Sequence, residues 1–283
     1  MDIQLIADSC CDVTPKLAGQ IGLVRVPLKI TIDGNKHFVD DEHIDIPALL
    51  EAMKKTREPL LTAAPSPESY AAAMRQADAS VVVTLSSRLS GSYGAAMAAR
   101  GMVLEESPEK KIAVFDSKSA SAGETRIALR LFDLIRKGAG FEAICEQMPA
   151  FIGQMRTLFV LEDLRTLIKN GRIPRMTGML GTVLMFRPIM GEDGEGEIVP
   201  VEKIRGTKKA LARLVEIIAE RTALNAEKSL LMTISECDCP ARAVELKRNI
   251  LAHCPAIKKV FIAPTGGLST SYANSGGIVV AYG

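Results

Sequence analysis

The sequence predicts an α/β protein of two domains, and three observations predict it. Apolar, β-branched runs alternate with helical patterns through the first half. Several of these runs end in small polar residues such as Asp8-Ser9 and Asp116-Ser117. Near residue 155 this alternation stops and a different order of elements begins. The expected division is 1–155, a mostly parallel sheet with helices on both faces, and 156–283, a mixed sheet with helices.

The elements follow in order. Residues 3–7 are a short apolar strand, and Thr14-Pro15 opens a helix with proline just inside it. Residues 23–32 alternate as one strand, with Asp33-Gly34-Asn35 as a hairpin signal. Helices are expected over 47–55 and from Ser66-Pro67-Glu68 to about 76. The run 80–85 reads as a buried parallel strand. Helix 94–105, strand 111–115, helix 121–137 and helix 141–154 complete the first half. The second half predicts strand 158–161, helix 162–169 capped by Asn170-Gly171, and a turn at 191–196 leading to strand 198–204. Helix 208–221, strand 230–234, helix 241–253, strand 260–263 and a buried strand over 276–282 follow.

Composition narrows the function. The chain of 283 residues can bury a core without disulfide or metal staples. A net charge of +2, 4% aromatic residues and no Trp disfavour a nucleic-acid surface. No uncharged apolar run reaches about 18 residues, so no membrane span is expected. The opening residues lack the basic and apolar regions of a secretory leader, and a cytoplasmic location is expected. The six cysteines show no paired zinc spacing and read as free thiols; no metal is expected.

Candidate chemistry gathers where strands end. In open α/β sheets, ligands sit beyond the carboxyl ends of the strands. Hydroxyl-rich segments stand at Asp8-Ser9 with Asp12, at 84–93, and at Asp116-Ser117 with Ser119, Ser121 and Gly123; a fourth, 62–66, precedes a helix. Ser90-Gly91-Ser92 lies at a helix start, where free N–H groups and the helix dipole favour an anion. The same serines would also serve as helix caps. Asp8, Asp12 and Asp116 suit Asx-turns that hold loops, or, with less support, a metal. Arg172 and Arg205 flank an apolar segment of Met176, Met179, Leu180, Val183, Leu184, Met185 and Phe186. The arginines suit either a helix C-terminus or a phosphate, and the methionines either core or an adaptable apolar pocket. No catalytic triad, Walker or dinucleotide motif is present, so no catalytic residue is assigned.

Taken together and in order, Ala7-Asp8-Ser9-Cys10-Cys11-Asp12, the segments 62–66, 85–93 and 116–123, and Glu162-Asp163-Leu164 through Asn170-Gly171-Arg172-Ile173 resemble the DegV family of bacterial fatty-acid-binding proteins. The resemblance implies two α/β domains with a fatty acid between them, its chain in an apolar tunnel. It implies a non-enzymatic carrier with no cofactor, whose partner is a separate fatty acid kinase subunit that forms an acyl phosphate for phospholipid synthesis. It places Thr62 and Ser90, Gly91 and Ser92 at the carboxylate. Arg172 and Arg205 fall near the head group or the kinase surface. Two departures stand out. Ala63 replaces the family's second hydroxyl in the threonine loop. The family's Thr-His-x-Gly-Pro-Gly segment reads Tyr272-Ala273-Asn274-Ser275-Gly276-Gly277, which sets Ala273 at the histidine and removes one donor unless Tyr272 or Asn274 replaces it. The alternatives are a small-molecule enzyme using the Ser/Thr loops, which requires a titratable base near Ser90, and a binding module for a different ligand.

Overall fold

The computed structural model describes residues 3–56, 58–173, 186–223 and 230–283. The N-terminal half runs β1 (Ile3–Asp8), α1 (Pro15–Gln20), β2 (Leu23–Val26), β3 (Lys29–Ile32), β4 (Lys36–Val39), α2 (Ile46–Lys55), β5 (Leu61–Ala63), α3 (Pro67–Met74), β6 (Ala79–Thr84), α4 (Ser92–Glu106), β7 (Lys111–Asp116), α5 (Ala122–Arg136) and α6 (Phe141–Gln154). The C-terminal half runs β8 (Arg156–Val160), α7 (Arg165–Lys169), β9 (Phe186–Glu192), β10 (Ile198–Arg205), α8 (Thr207–Thr222), β11 (Leu230–Glu236), α9 (Pro240–His253), β12 (Ile257–Pro264), α10 (Gly267–Ala273) and β13 (Ile278–Tyr282).

Strands β2, β1, β6 and β7 form a wholly parallel sheet in that order. Strand alternation sends Ile6 and Val82 to one face, against Tyr70 and Met74 of α3 and Ala96 and Val103 of α4. Leu5, Val81 and Val83 face the other way, toward Ile127 and Leu131 of α5. Every residue of β6 is buried, as a central parallel strand requires. Helix starts follow local chemistry: Thr14, Asp45 and Ser66 each accept a backbone N–H at the head of a helix that carries proline in its first turn.

The second sheet is mixed, in the order β10-β9-β8-β13-β11-β12. Only β11 and β12 pair in parallel. Helices α8 and α9 cover its outer face through Leu214, Ile218, Leu246 and Ile250. Its inner face, with Phe159, Val279 and Ala281, joins the same core as Leu5 and Leu131. Helix α5 is therefore shared by both sheets. Arg126 donates from Nε to the Leu231 carbonyl (2.9 Å) and from Nη2 to the Gly283 carbonyl (2.8 Å), and Thr233 caps the Ala122 carbonyl at 2.7 Å.

Three local expectations are corrected. The strand expected over 23–32 is two strands in different sheets, because Pro27 lacks the N–H to continue the ladder. Strand β3 instead joins β4 and β5 in a small antiparallel sheet. The helix expected from 162 begins only at Arg165, where Asp163 accepts the Arg165 N–H at 2.8 Å. The turn expected at 191–196 starts later, since Gly191 and Glu192 still pair in β9. Helix α10 was not expected. The apolar segment 176–185 lies outside the described residues. Among the described residues, no helix is long and apolar enough to cross a membrane.

Candidate functional site

The loops after β1, β6 and β7 converge at one sheet edge, and aspartates hold them. Asp8 accepts the Cys10 N–H on Oδ1 and the Leu85 N–H on Oδ2, both at 3.0 Å. Asp116 Oδ1 accepts from Lys118 N (2.9 Å) and Ser87 N (3.1 Å). Asp12 accepts from Gly266 N (2.7 Å) and Ser121 Oγ (2.5 Å), which ties the β1 loop to the C-terminal half. These carboxylates are loop fasteners: Asp8 and Asp116 close Asx-turns onto the N–H two residues on, whereas Asp12 reaches across the chain. A fourth fastener, Asp40, was not singled out in the sequence. Fully buried, it accepts from Gly267 N (2.6 Å), Leu268 N (2.9 Å) and Ser9 Oγ (2.8 Å), and so seats α10.

Burial raises the acids in this region. Asp8 and Asp12 are each pushed up to about 6, with their backbone and hydroxyl donors opposing part of the rise. Glu124 is raised further by burial and by the nearby charge of Asp8. Neither Glu124 oxygen meets a conventional donor, yet the side chain lies within hydrogen-bonding reach of Asp8. Two carboxyls in that arrangement share a proton between them. Ligand atoms of Asp8, Cys10 and Glu124 lie within 4.8 Å of one another. The same burial and carboxylate charge push the Cys10 thiol up, toward its neutral form.

A cavity of about 180 Å³ opens beside these loops, against the inner face of the mixed sheet. Its wall is mostly apolar: Leu28, Leu85, Leu89, Phe159, Leu268 and Val279 contribute from both halves of the chain. Thr62, Ser90, Gly91 and Arg172 stand on this wall. Alternation along β5 turns Thr62 inward while Leu61 and Ala63 are exposed. The hydroxyl absent at Ala63 therefore belongs to the outer face. Ser90 Oγ lies 3.1 Å from Ser92 Oγ and accepts the Ser92 N–H at 3.2 Å. Arg172 is fixed by the carbonyls of Leu89 (Nε, 2.9 Å) and Asn170 (Nη1, 2.5 Å). Gly91 leaves room on the wall: a Cβ there would meet Ala64 at 3.9 Å, an ordinary contact.

Two expected residues stand elsewhere. Ser92 is fully buried at the start of α4, beside Asp8 and Tyr70, and is not among the wall residues. Arg205 is exposed at the end of β10, paired across the ladder with Phe186, and is also not on the wall. The three histidines are exposed and none lines the cavity. The wall also carries a residue weighed in the sequence only as a substitute. Tyr272 of α10 places its hydroxyl 3.0 Å from Thr62 Oγ1 and accepts from Asn170 Nδ2 at 3.1 Å. Beyond Asn170 lies a second, more polar cleft, lined among others by Lys54, Glu58, Arg165 and Asn274.

These features define an α/β protein that encloses a mostly apolar cavity between a parallel and a mixed sheet, with hydroxyl donors on its wall. The sequence profile of the DegV family, described as uncharacterised proteins, matches residues 2–282, and the chain belongs to that family. A DegV domain-containing protein of Streptococcus pneumoniae is 32% identical over 284 residues, covering 100% of this chain and 99% of its own. Among solved structures, a DegV family protein of Ruminococcus gnavus with vaccenic acid superposes with a TM-score of 0.90 at 39% identity over 99% of both chains. The Streptococcus pneumoniae fatty acid kinase B3 protein, loaded with linoleic acid, gives 0.90 at 32% identity over 100% of this chain and 99% of its own.

Proposed function

We propose that this chain binds a long-chain fatty acid in its cavity and presents the carboxylate to a separate kinase subunit, which forms the acyl phosphate. The carrying observation is the pairing of an apolar cavity with the Thr62, Tyr272 and Ser90 hydroxyls on one wall. An acyl chain gains roughly 0.8 kcal/mol for each methylene it withdraws from water, so the chain supplies affinity and the hydroxyls supply orientation. The fatty-acid ligands of the two similar solved structures support this reading.

The protein itself is non-catalytic in this reading. Among the described residues, the hydrogen bonds of the Ser90 hydroxyl go to Ser92, and none joins it to an imidazole or carboxylate that would take its proton. The ligand alone enters the protein, with no cofactor, in the cytoplasm. The working units are 1–155 and 156–283, with the acyl chain between them. Arg172 and Arg205 serve the head group or the kinase contact, and the cleft beyond Asn170 gives the phosphoryl donor its approach.

The test is mass spectrometry of an organic extract of the purified protein, with native mass for stoichiometry. One fatty acid per chain is expected. Replacing both Thr62 and Ser90 by Ala should weaken binding at least about tenfold, or ~1.4 kcal/mol. A lipid-free protein that also refuses added fatty acid would transfer the cavity to a different ligand.

A further inference from the structure

One polar contact at Tyr272 has a fixed direction. Asn170 Nδ2 lies 3.0 Å from the Leu60 carbonyl and 3.1 Å from the Tyr272 hydroxyl. A carbonyl oxygen only accepts, so the amide nitrogen must face Leu60, and this settles which way the Asn170 amide points. Its two hydrogens are then both placed, one on Leu60 and one on the Tyr272 oxygen. Tyr272 has a single proton to give, and Thr62 Oγ1 stands 3.0 Å away. Thr62 also has a single proton, and its side chain faces the cavity.

We propose that Tyr272 is a positioning residue for the ligand's head group. It acts in a one-way chain in which Asn170 donates to Tyr272, Tyr272 donates to Thr62, and Thr62 donates into the cavity. This deepens the proposed fatty-acid reading and rests on it. Each donation polarises the next hydroxyl, so the Thr62 proton is a stronger donor than that of an isolated threonine. The chain ends in a donor, and one of the two Thr62 acceptor sites is already engaged by Tyr272, which favours a group that mainly accepts. An ionised carboxylate fits, and a fatty alcohol, which also needs an acceptor, fits less well. Asp40 contributes at a distance, because it seats the N-terminal turn of the helix that carries Tyr272.

The experiment uses the full chain with [1-13C]oleate and, as competitor, oleyl alcohol. Affinity and the pH titration of the bound carboxyl resonance are measured for wild type, Tyr272→Phe, Thr62→Ala, the double variant and Tyr272→His. The expected result is a loss of about tenfold in oleate affinity for each single variant and no further loss in the double. The bound carboxyl should titrate at higher pH in Tyr272→Phe than in wild type, a shift that a merely structural role does not produce. Tyr272→His, which restores a donor, should recover part of both effects, and oleyl alcohol should compete better against oleate in Tyr272→Phe. Wild-type affinity and titration in Tyr272→Phe, with oleate still bound by wild type, would overturn the relay alone. A loss in Tyr272→Phe with Thr62→Ala near wild type would make Tyr272 the direct donor and overturn it equally. A wild-type protein that takes up no oleate overturns the fatty-acid reading and this inference together.

Discussion

The polar cluster behind the β1 and β6 loops and the polar wall of the cavity use the same kinds of residue to opposite ends. In the cluster, Asp8, Asp12 and Asp40 spend their oxygens on backbone N–H groups and hydroxyls of other loops. In the wall, Thr62, Tyr272 and Ser90 face space, and at least one hydroxyl proton is left over. A buried polar group must be satisfied from within, whereas a binding site keeps donors unspent until the ligand supplies the acceptor. Hydroxyl-rich loops are thus told apart by where their last proton goes, not by composition.

The largest effect should come from breaking the cluster. Asp40→Ala leaves the Gly267 and Leu268 N–H groups and the Ser9 hydroxyl without their shared acceptor. We expect a loss of about 3 kcal/mol in urea unfolding, together with weaker fatty-acid binding as Tyr272 loses its setting. A stable variant with unchanged affinity would separate the two regions that this comparison joins.

An intermediate effect should appear in pH dependence. Asp8 and Asp12 titrate at about 6 when folded, above their ordinary 3.8, and Glu124 is raised as well. The folded protein holds these protons to higher pH than the unfolded chain does. Their contribution to stability is therefore full below about 4 and is lost as pH rises through about 6. Glu124→Gln removes one of these acids and relieves Asp8. The unfolding midpoint of the variant should gain on that of wild type as pH is raised from about 4 to 7, and parallel profiles would argue against the shared proton.

The smallest effect should come from the wall side. Ala63→Ser restores a hydroxyl on the exposed face of β5, away from Thr62. Fatty-acid affinity measured by calorimetry should stay within about twofold of the parent, and a marked gain would mean that β5 presents its other face to the ligand.

Much of the scaffold was legible because its signals are local. Thr14-Pro15 and Ser66-Pro67 announce helix starts by capping chemistry alone. The β-branched run of β6 announces a strand buried on both faces. Strand β5 and helix α10 escaped notice because three residues and seven residues carry little periodicity, and β5 forms only by pairing with β3. In the site, Thr62, Ser90, Gly91 and Arg172 meet at the cavity, while Ser92 turns into the core one residue after the wall ends. A helix start rotates successive side chains by about 100°, and nothing in Ser90-Gly91-Ser92 says which serine faces out.

By itself the sequence determined the alternation of strand and helix, the local turns at Asp8 and Asp116 and the absence of dedicated catalytic motifs, since each depends on neighbours along the chain. Only the tertiary structure decided that Thr62, Asn170 and Tyr272, separated by more than a hundred residues, form one hydrogen-bonded line. It also decided that Ala63 points away from the cavity and that the Tyr272 hydroxyl reaches Thr62. Hydrogen bonds join atoms a few ångströms apart in space, and residues remote in sequence acquire such partners only when the sheets are packed around their shared helix.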